Sequence, residues 1–135
     1  MAGVVHFEIP ADDKERANTF YQGAFGWTLN PMQEMDYTIA ITTPSDPQTG
    51  MPSAPGAING ALFPRSEELK TPVITVDVED IEASLGQIES AGGSVVKGKD
   101  AVPGMGYYAY FKDTEGNILG LWQTDSSAGS PAPAE

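Results

Sequence analysis

Residues 4–27 read VVHFEIPADDKERANTFYQGAFGW, and the order of residue types in this stretch decides the fold. Val4, Val5, Phe7 and Ile9 supply β-branched and aromatic character, with His6 and Glu8 alternating against Phe7 and Ile9, which predicts a strand. Pro10 cannot donate to a ladder and is expected to stop it. Asp12 or Asp13 can cap a following helix, and Glu15 adds negative charge near its positive end. Ala17, Phe20, Tyr21, Ala24 and Phe25 fall on one helical face, and Gly26 suits the left-handed residue that ends a helix.

Residues 71–94, TPVITVDVEDIEASLGQIESAGGS, repeat that order as a strand, an acidic turn, a helix and a glycine pair. A shift of 67 residues carries Asp13 onto Asp80, Phe7 onto Ile74, Ile9 onto Val76, Tyr21 onto Ile88 and Gly26 onto Gly93. Few residues are identical, so the echo is one of pattern.

The chain has 135 residues, the size of one domain, so the repeats are two halves of one fold. It has no cysteine, which excludes disulfides, thiol nucleophiles and cysteine-ligated metals. No stretch approaches the roughly 20 apolar residues that span a bilayer, and the N-terminus lacks a signal-peptide pattern. A soluble cytoplasmic protein is expected. The formal charge of −12 argues against nucleic acid and anionic membranes as partners, since both call for clustered Lys and Arg.

Between the repeats, Thr28, Leu29 and Asn30 predict a short strand ended by Pro31, and residues 37–43, YTIAITT, a clearer one. Residues 44–56 hold four prolines and two glycines and read as a long loop that covers a site or moves. Residues 57–63, AINGALF, return as a strand whose Gly60 permits close approach of another group. Residues 64–70 connect the halves. In the second half, residues 94–97 predict a short strand, 107–112 (YYAYFK) and 118–123 (ILGLWQ) two more around the turn DTEGN, and residues 125–135 a disordered tail.

Two consecutive strand–helix–strand–strand–strand modules resemble the vicinal oxygen chelate superfamily, which includes glyoxalase I, extradiol dioxygenases and bleomycin and fosfomycin resistance proteins. The resemblance rests on HFEIPADD, FYQGAFGW, VEDIEASLGQIESAGG and the closing DTEGNILGLWQ, and covers residues 4–124. It is nearest to the bacterial group of predicted enzymes related to lactoylglutathione lyase. It implies an α+β fold, one glyoxalase-like domain over residues 1–124 whose two βαβββ modules (4–63 and 71–124) form a cup-shaped mixed sheet. It also implies a homodimer and a divalent metal at the cup floor, held by one residue from the first and last strands of each module.

Residue by residue, that metal set is depleted. His6 matches the first ligand position, but its repeat partner is Val73, the closing-strand position falls on Gly120, and its first-module counterpart falls on Asn59 or Ala61. No cofactor is expected, a divalent metal being the lesser alternative. His6, the only histidine, shares a strand face with Glu8, and the two suit a general base and its orienting partner. Trp122 shares a face with Gly120, so an open glycine floor beside an aromatic wall would accept a planar or apolar ligand. Asn59, Thr75 and Tyr108 are further candidate contacts, and Arg65 is either an anion clamp or a solvated connector residue. Phe20, Tyr21, Phe25 and Trp27 are expected to pack between helix and sheet. Three functions stay open: a small-molecule-binding protein without metal, an isomerase or lyase using His6 and Glu8 with or without a divalent metal, or a stress or interaction module with a vestigial cup.

Overall fold

Asp13 and Asp80, 67 residues apart, open the two helices: Asp13 Oδ1 accepts from Arg16 N at 3.0 Å and Asp80 Oδ1 from Ala83 N at 3.2 Å. The structure, a computed structural model, describes residues 1–32 and 35–129. Its elements are β1 (Val4–Ala11), α1 (Lys14–Phe25), β2 (Thr28–Pro31), β3 (Thr38–Ile41), β4 (Gly60–Pro64), β5 (Val73–Asp77), α2 (Ile81–Ser90), β6 (Ser94–Val102), β7 (Gly106–Lys112) and β8 (Ile118–Thr124). The order βαβββ therefore occurs twice, and the fold class is α+β. Gly26 ends α1 at φ 72°, a left-handed conformation that a Cβ disfavours, and its N–H returns to the Gln22 carbonyl.

The chain divides into two compact units, one of residues Val5–Ile74 and one of Met1–Val4 with Thr75–Glu135. In the first, the strands run β2-β3-β4-β1, with β1 parallel to β4 and the other pairs antiparallel. In the second, they run β5-β8-β7-β6, with β5 parallel to β8 and the rest antiparallel. The topology of the first unit recurs in the second, so the repeated sequence pattern is a repeated structure.

The second unit has a defined apolar core. Ile81 and Leu85 of α2 pack on Ala109 of β7 and Leu121 of β8, flanked by Val76, Ile88, Tyr107 and Phe111. Ile81 and Ala109 are fully buried. The DTEGN turn before β8 is tied by its own aspartate. Asp113 Oδ1 accepts from Glu115 N and Asn117 N, and Asn117 Nδ2 donates to Oδ2. Those bonds, Asn117's first, hold the Asp113 carboxyl below the usual carboxylate range.

Several expectations are corrected. Pro10 does not stop β1: the parallel register runs through Pro10 opposite Phe63, and beyond it the Ala11 carbonyl accepts from Arg65 N. β6 runs from Ser94 to Val102 rather than ending near Lys97, because register shifts between Val95 and Lys97 and between Lys97 and Asp100 let pairing resume past Gly98. The helix-to-sheet aromatic cluster is only half formed. Tyr21 stacks on Trp27 at 4.9 Å, but Phe20 and Phe25 are 58% and 63% exposed, since every residue of α1 keeps some accessible surface. Residues 125–129 are not a loose tail. Asp125 N donates to the Met105 carbonyl, Gly104 N to the Ala128 carbonyl, and Ala128 is buried. Residues 130–135 lie outside the described residues.

Candidate functional site

Strand register sorts the first unit's side chains onto two faces. Phe7 of β1 pairs with Gly60 of β4, which pairs with Ala40 of β3, and Phe7 also packs against Trp27 at the end of α1. The Phe7 ring lies so close over Gly60 that a Cβ there would sit 2.5 Å from it. The opposite face carries the polar groups. Glu8, Ala61, Ile39 and Asn30 form one row across four strands, and Ile41 pairs with Thr28 in the next. The first row grades from the buried Glu8 and Ala61, through a half-buried Ile39, to the exposed Asn30.

At the buried end, Tyr37 joins the two residues singled out on β1. Its hydroxyl donates to Glu8 Oε2 at 2.6 Å and lies 2.8 Å from His6 Nε2. His6 and Tyr37 rings stack at 6.4 Å, 17° from parallel. Burial holds the His6 imidazole below the usual histidine value of 6.5, opposed by the negative charge of Glu8. His6 is therefore mostly neutral near pH 7. Side chains two residues apart on one strand face run side by side, and the Tyr37 hydroxyl links this pair into one hydrogen-bonded chain. Sequence reasoning missed Tyr37. The signal was there, since Tyr37 opens the YTIAITT strand at the same period-two phase as Ile39 and Ile41.

At the open end lies a cleft of about 540 Å³, floored by Ile39 and Ile41, edged by Thr28 and Asn30, and walled by residues of the 44–56 loop including Ser45 and Asp46. The loop is ordered by its own bonds: Asp46 N donates to the Met51 carbonyl, Gly50 N to Asp46, and Ser53 N to Pro44. Asp46 Oδ1 accepts from Gln48 N and Thr49 N, which holds its carboxyl below the usual range. Asn59 latches this loop to the sheet. Its Oδ1 accepts from Thr42 N at 2.9 Å, and its Nδ2 donates to Ser45 Oγ at 2.7 Å and to the Gly50 carbonyl at 3.2 Å.

In the second unit, Thr75, Gly120 and Tyr110 share a row, as do Asp77, Trp122 and Tyr108, all on the face away from α2. Tyr107 packs on the α2 side. Register thus brings Thr75, Tyr108 and Trp122 to one face, but the expected open floor is not there. A Cβ on Gly120 would meet Thr75 Oγ1 at 2.8 Å, so the threonine occupies the space the glycine leaves. The Trp122 ring lies against Gly106, where a Cβ would come within 2.7 Å of it, and its Nε1 donates to Thr124 Oγ1. Tyr108 is 6.0 Å from Tyr110, receives the Lys97 ammonium over its ring and donates to Asp100. Arg65 lies exposed on the connector, where its Nε pairs with Asp12 Oδ1 at 3.0 Å and Nη1 donates to the Lys70 carbonyl.

The donors do not fit the metal site of the resembling superfamily. Glu8 and Thr75, which occupy repeated positions, pair with Ala61 and Gly120. Register thus selects Ala61 as the counterpart of Gly120, and neither can ligate. Val73, 67 residues on from His6, is apolar and cannot ligate, and His6 Nε2 is engaged by Tyr37. Among the described residues, no three His, Cys, Asp or Glu side chains group in a way that could hold a metal ion, and no helix is long and apolar enough to cross a membrane.

Comparison with known proteins follows the same lines. A family model described as bleomycin resistance protein-like N-terminal matches residues 4–43. A glyoxylase-like domain-containing protein of Didymella fabae is 30% identical over 122 residues, spanning 82% of this chain and 84% of the relative. Among solved structures, a Streptomyces coelicolor methylmalonyl-CoA epimerase variant superposes with a TM-score of 0.61 at 18% identity, covering 97% of this chain and 99% of the other. A glyoxalase/bleomycin resistance protein/dioxygenase superfamily member from Vibrio splendidus 12B01 superposes with a TM-score of 0.59 at 14% identity, over 93% and 100%. At those identities the structures speak for the fold. The relative from Didymella fabae, 30% identical over most of both chains, shows the family, and with the repeated βαβββ order this chain belongs to the vicinal oxygen chelate superfamily of glyoxalase, bleomycin resistance and dioxygenase proteins.

Proposed function

We propose that the protein binds a small organic molecule, planar or apolar in its body, on the open sheet face of its first unit, and does so without a metal. The observation that carries this reading is the cleft over Ile39 and Ile41, whose volume of about 540 Å³ falls in the range of small-molecule sites. Its lining combines an apolar floor with hydroxyl and amide groups and the Asp46 carboxylate at the edge, groups that can orient a ligand. The metal-free part rests on Ala61, Gly120 and Val73 standing where ligands would be required. Chelator-stripped protein should take up neither nickel, zinc nor manganese by calorimetry. A compound screen read by tryptophan fluorescence should yield ligands that Ile41→Arg no longer binds while its circular dichroism is unchanged. Stoichiometric metal binding lost in His6→Ala, or ligands indifferent to Ile41→Arg, would overturn this reading.

The linked His6, Tyr37 and Glu8 favour a second reading, an isomerase or lyase acting on a small carbonyl compound with His6 and Glu8 as acid–base groups. Solvent-deuterium exchange into α-protons of candidate carbonyl compounds, abolished in His6→Gln, is its test. The same proposal extends to a cytoplasmic homodimer, which sedimentation equilibrium of the purified chain decides for the assembly.

A further inference from the structure

We infer that the cleft of the first unit selects an organic cation, an apolar body over Ile39 and Ile41 carrying a protonated amine toward the Asp46 wall; this deepens the binding reading above and rests on it.

The first unit keeps its positive charges away from the cleft. Residues 17–64, which supply β2, β3, β4 and the 44–56 loop, contain no Lys, Arg or His. The unit's Lys and Arg residues are Lys14, Arg16, Arg65 and Lys70, before and after that stretch, and Lys14 and Arg65 face Asp36 and Asp12. The residues lining the cleft all lie between Gly26 and Gly50, and Asp46 is the one ionisable side chain among them. Its Oδ1 takes both turn bonds, from Gln48 N and Thr49 N, while its Oδ2 bonds no described residue. Those bonds, Gln48's first, hold the carboxyl below its usual range, so it is ionised at neutral pH.

A second source of negative potential is independent of Asp46. Gly26, the residue that ends α1, also lines the cleft. The C-terminal end of a helix carries roughly half a negative charge on carbonyls that lack intrahelical partners. A Lys or Arg in the last turn would offset it, and α1 has no basic residue there. The cleft is therefore negative at the α1 end and at the loop wall, with no cationic side chain between them. An ammonium group gains from both, whereas a carboxylate or phosphate is repelled and finds no Lys, Arg or His to pair with. A metal ion calls for several converging donors, and the lining offers a single carboxylate. An apolar floor with a charged edge fits an amphipathic amine, whose head keeps part of its water while its body is covered.

Three compounds that share one body test this: 1-naphthylmethylamine, 1-naphthylmethanol and 1-naphthoic acid, titrated at pH 7 into the ¹⁵N-labelled full chain and read by amide shifts. The amides of Thr28, Ile41, Thr42 and Ser45 should move. The amine should bind about two- to fivefold more tightly than the alcohol, the range of an exposed ion pair, and the acid most weakly. That preference should shrink as sodium chloride is raised. Asp46→Asn keeps the Oδ1 acceptor of the turn and should weaken the amine while sparing the alcohol. Glu67→Gln removes the same charge from the exposed connector and should keep the preference, which separates the cleft from general attraction to an acidic chain. Asn30→Lys places a cation in the lining and should turn the preference toward the acid, and it decides the case if Asp46→Asn loses the loop. An alcohol or acid that binds wild type as tightly as the amine, or an amine preference unchanged in Asp46→Asn, overturns the inference and spares the binding reading. If none of the three moves the cleft amides at millimolar concentration, both fall.

Discussion

Replacing Asn59 by alanine tests whether this residue is the latch of the cleft wall rather than a ligand contact. The side chain is only 9% exposed and serves three partners, the Thr42 N–H, the Ser45 hydroxyl and the Gly50 carbonyl. These losses are unequal. Thr42 N is left without its acceptor in a part-buried setting, and a stranded donor of that kind costs about 1–3 kcal/mol. Ser45 still donates to the Thr43 carbonyl, and the exposed Gly50 can turn to water, so each of those adds at most roughly 0.5 kcal/mol. A loss of about 2 kcal/mol is expected in urea unfolding, which for a chain of this size lowers Tm by roughly 8 °C. Amide exchange locates it: protection should fall at Asp46, Gly50 and Ser53, whose N–H bonds close the loop, and stay unchanged at Ala109 and Leu121 in the other unit's core. A cost under about 0.5 kcal/mol, or exchange rates in the loop that do not move, would refute the latch and return Asn59 to the list of ligand contacts.

The lone histidine reports on its surroundings by proton resonance, and its midpoint should lie below 6.5, falling further in Glu8→Gln because the charge that raises it is gone. The sign for stability follows from the same shift: the folded state holds the proton more weakly than the unfolded one, so the His6 contribution is whole above pH 6.5 and declines as pH falls through 6.5 toward the folded value. His6→Gln should flatten that part of the stability profile, and an unaltered slope would sink the argument. Gly120→Ala puts a methyl 2.8 Å from Thr75 Oγ1 and should cost about 1–3 kcal/mol, much of it recovered in Thr75→Ala/Gly120→Ala; two costs that simply add would deny the contact. Asp13→Ala and Asp80→Ala should each cost about 1 kcal/mol by urea titration, as matched helix caps.

The parts of this molecule that sequence made legible are those governed by local chemistry. Asp13 as a candidate cap, Gly26 as a left-handed stop and the alternation of His6 and Glu8 with Phe7 and Ile9 depend on a few neighbours along the chain, and period and turn chemistry state them directly. Pro10 was misjudged because whether a proline ends a strand depends on which edge its nitrogen faces, a property of the partner strand. The exposed Phe20 and Phe25 were misjudged for a similar reason: a helical face can be apolar over a wider arc than its sheet covers. Tyr37 joins a residue on β1 from 29 positions away, through register across β4 and β3, and no spacing rule reaches that far. The glycine floor at Gly120 failed because sequence shows that a side chain is missing but not whose side chain moves in.

The repeat shows where the two units differ. Glu8 and Thr75 stand 67 residues apart, are each 5% exposed, and pair with the small residues Ala61 and Gly120 on corresponding strands. In the second unit the space is taken up from within, by Thr75 over Gly120 and by Trp122 over Gly106. In the first, the corresponding place holds a carboxylate that accepts from a phenol, and an imidazole bonds that phenol in turn. A buried carboxylate is costly unless bonded, so a chain that only needed to fill this position would do better with a threonine, as its own second half does. Retaining Glu8 with a hydroxyl partner is the pattern of a group kept for its charge. Glu8→Thr should therefore hold or raise Tm while changing ligand affinity or the His6 titration, whereas Thr75→Ala should lower Tm and leave both alone. If Glu8→Thr instead destabilises the fold and spares the titration, Glu8 is a packing residue and the asymmetry between the units carries no functional meaning.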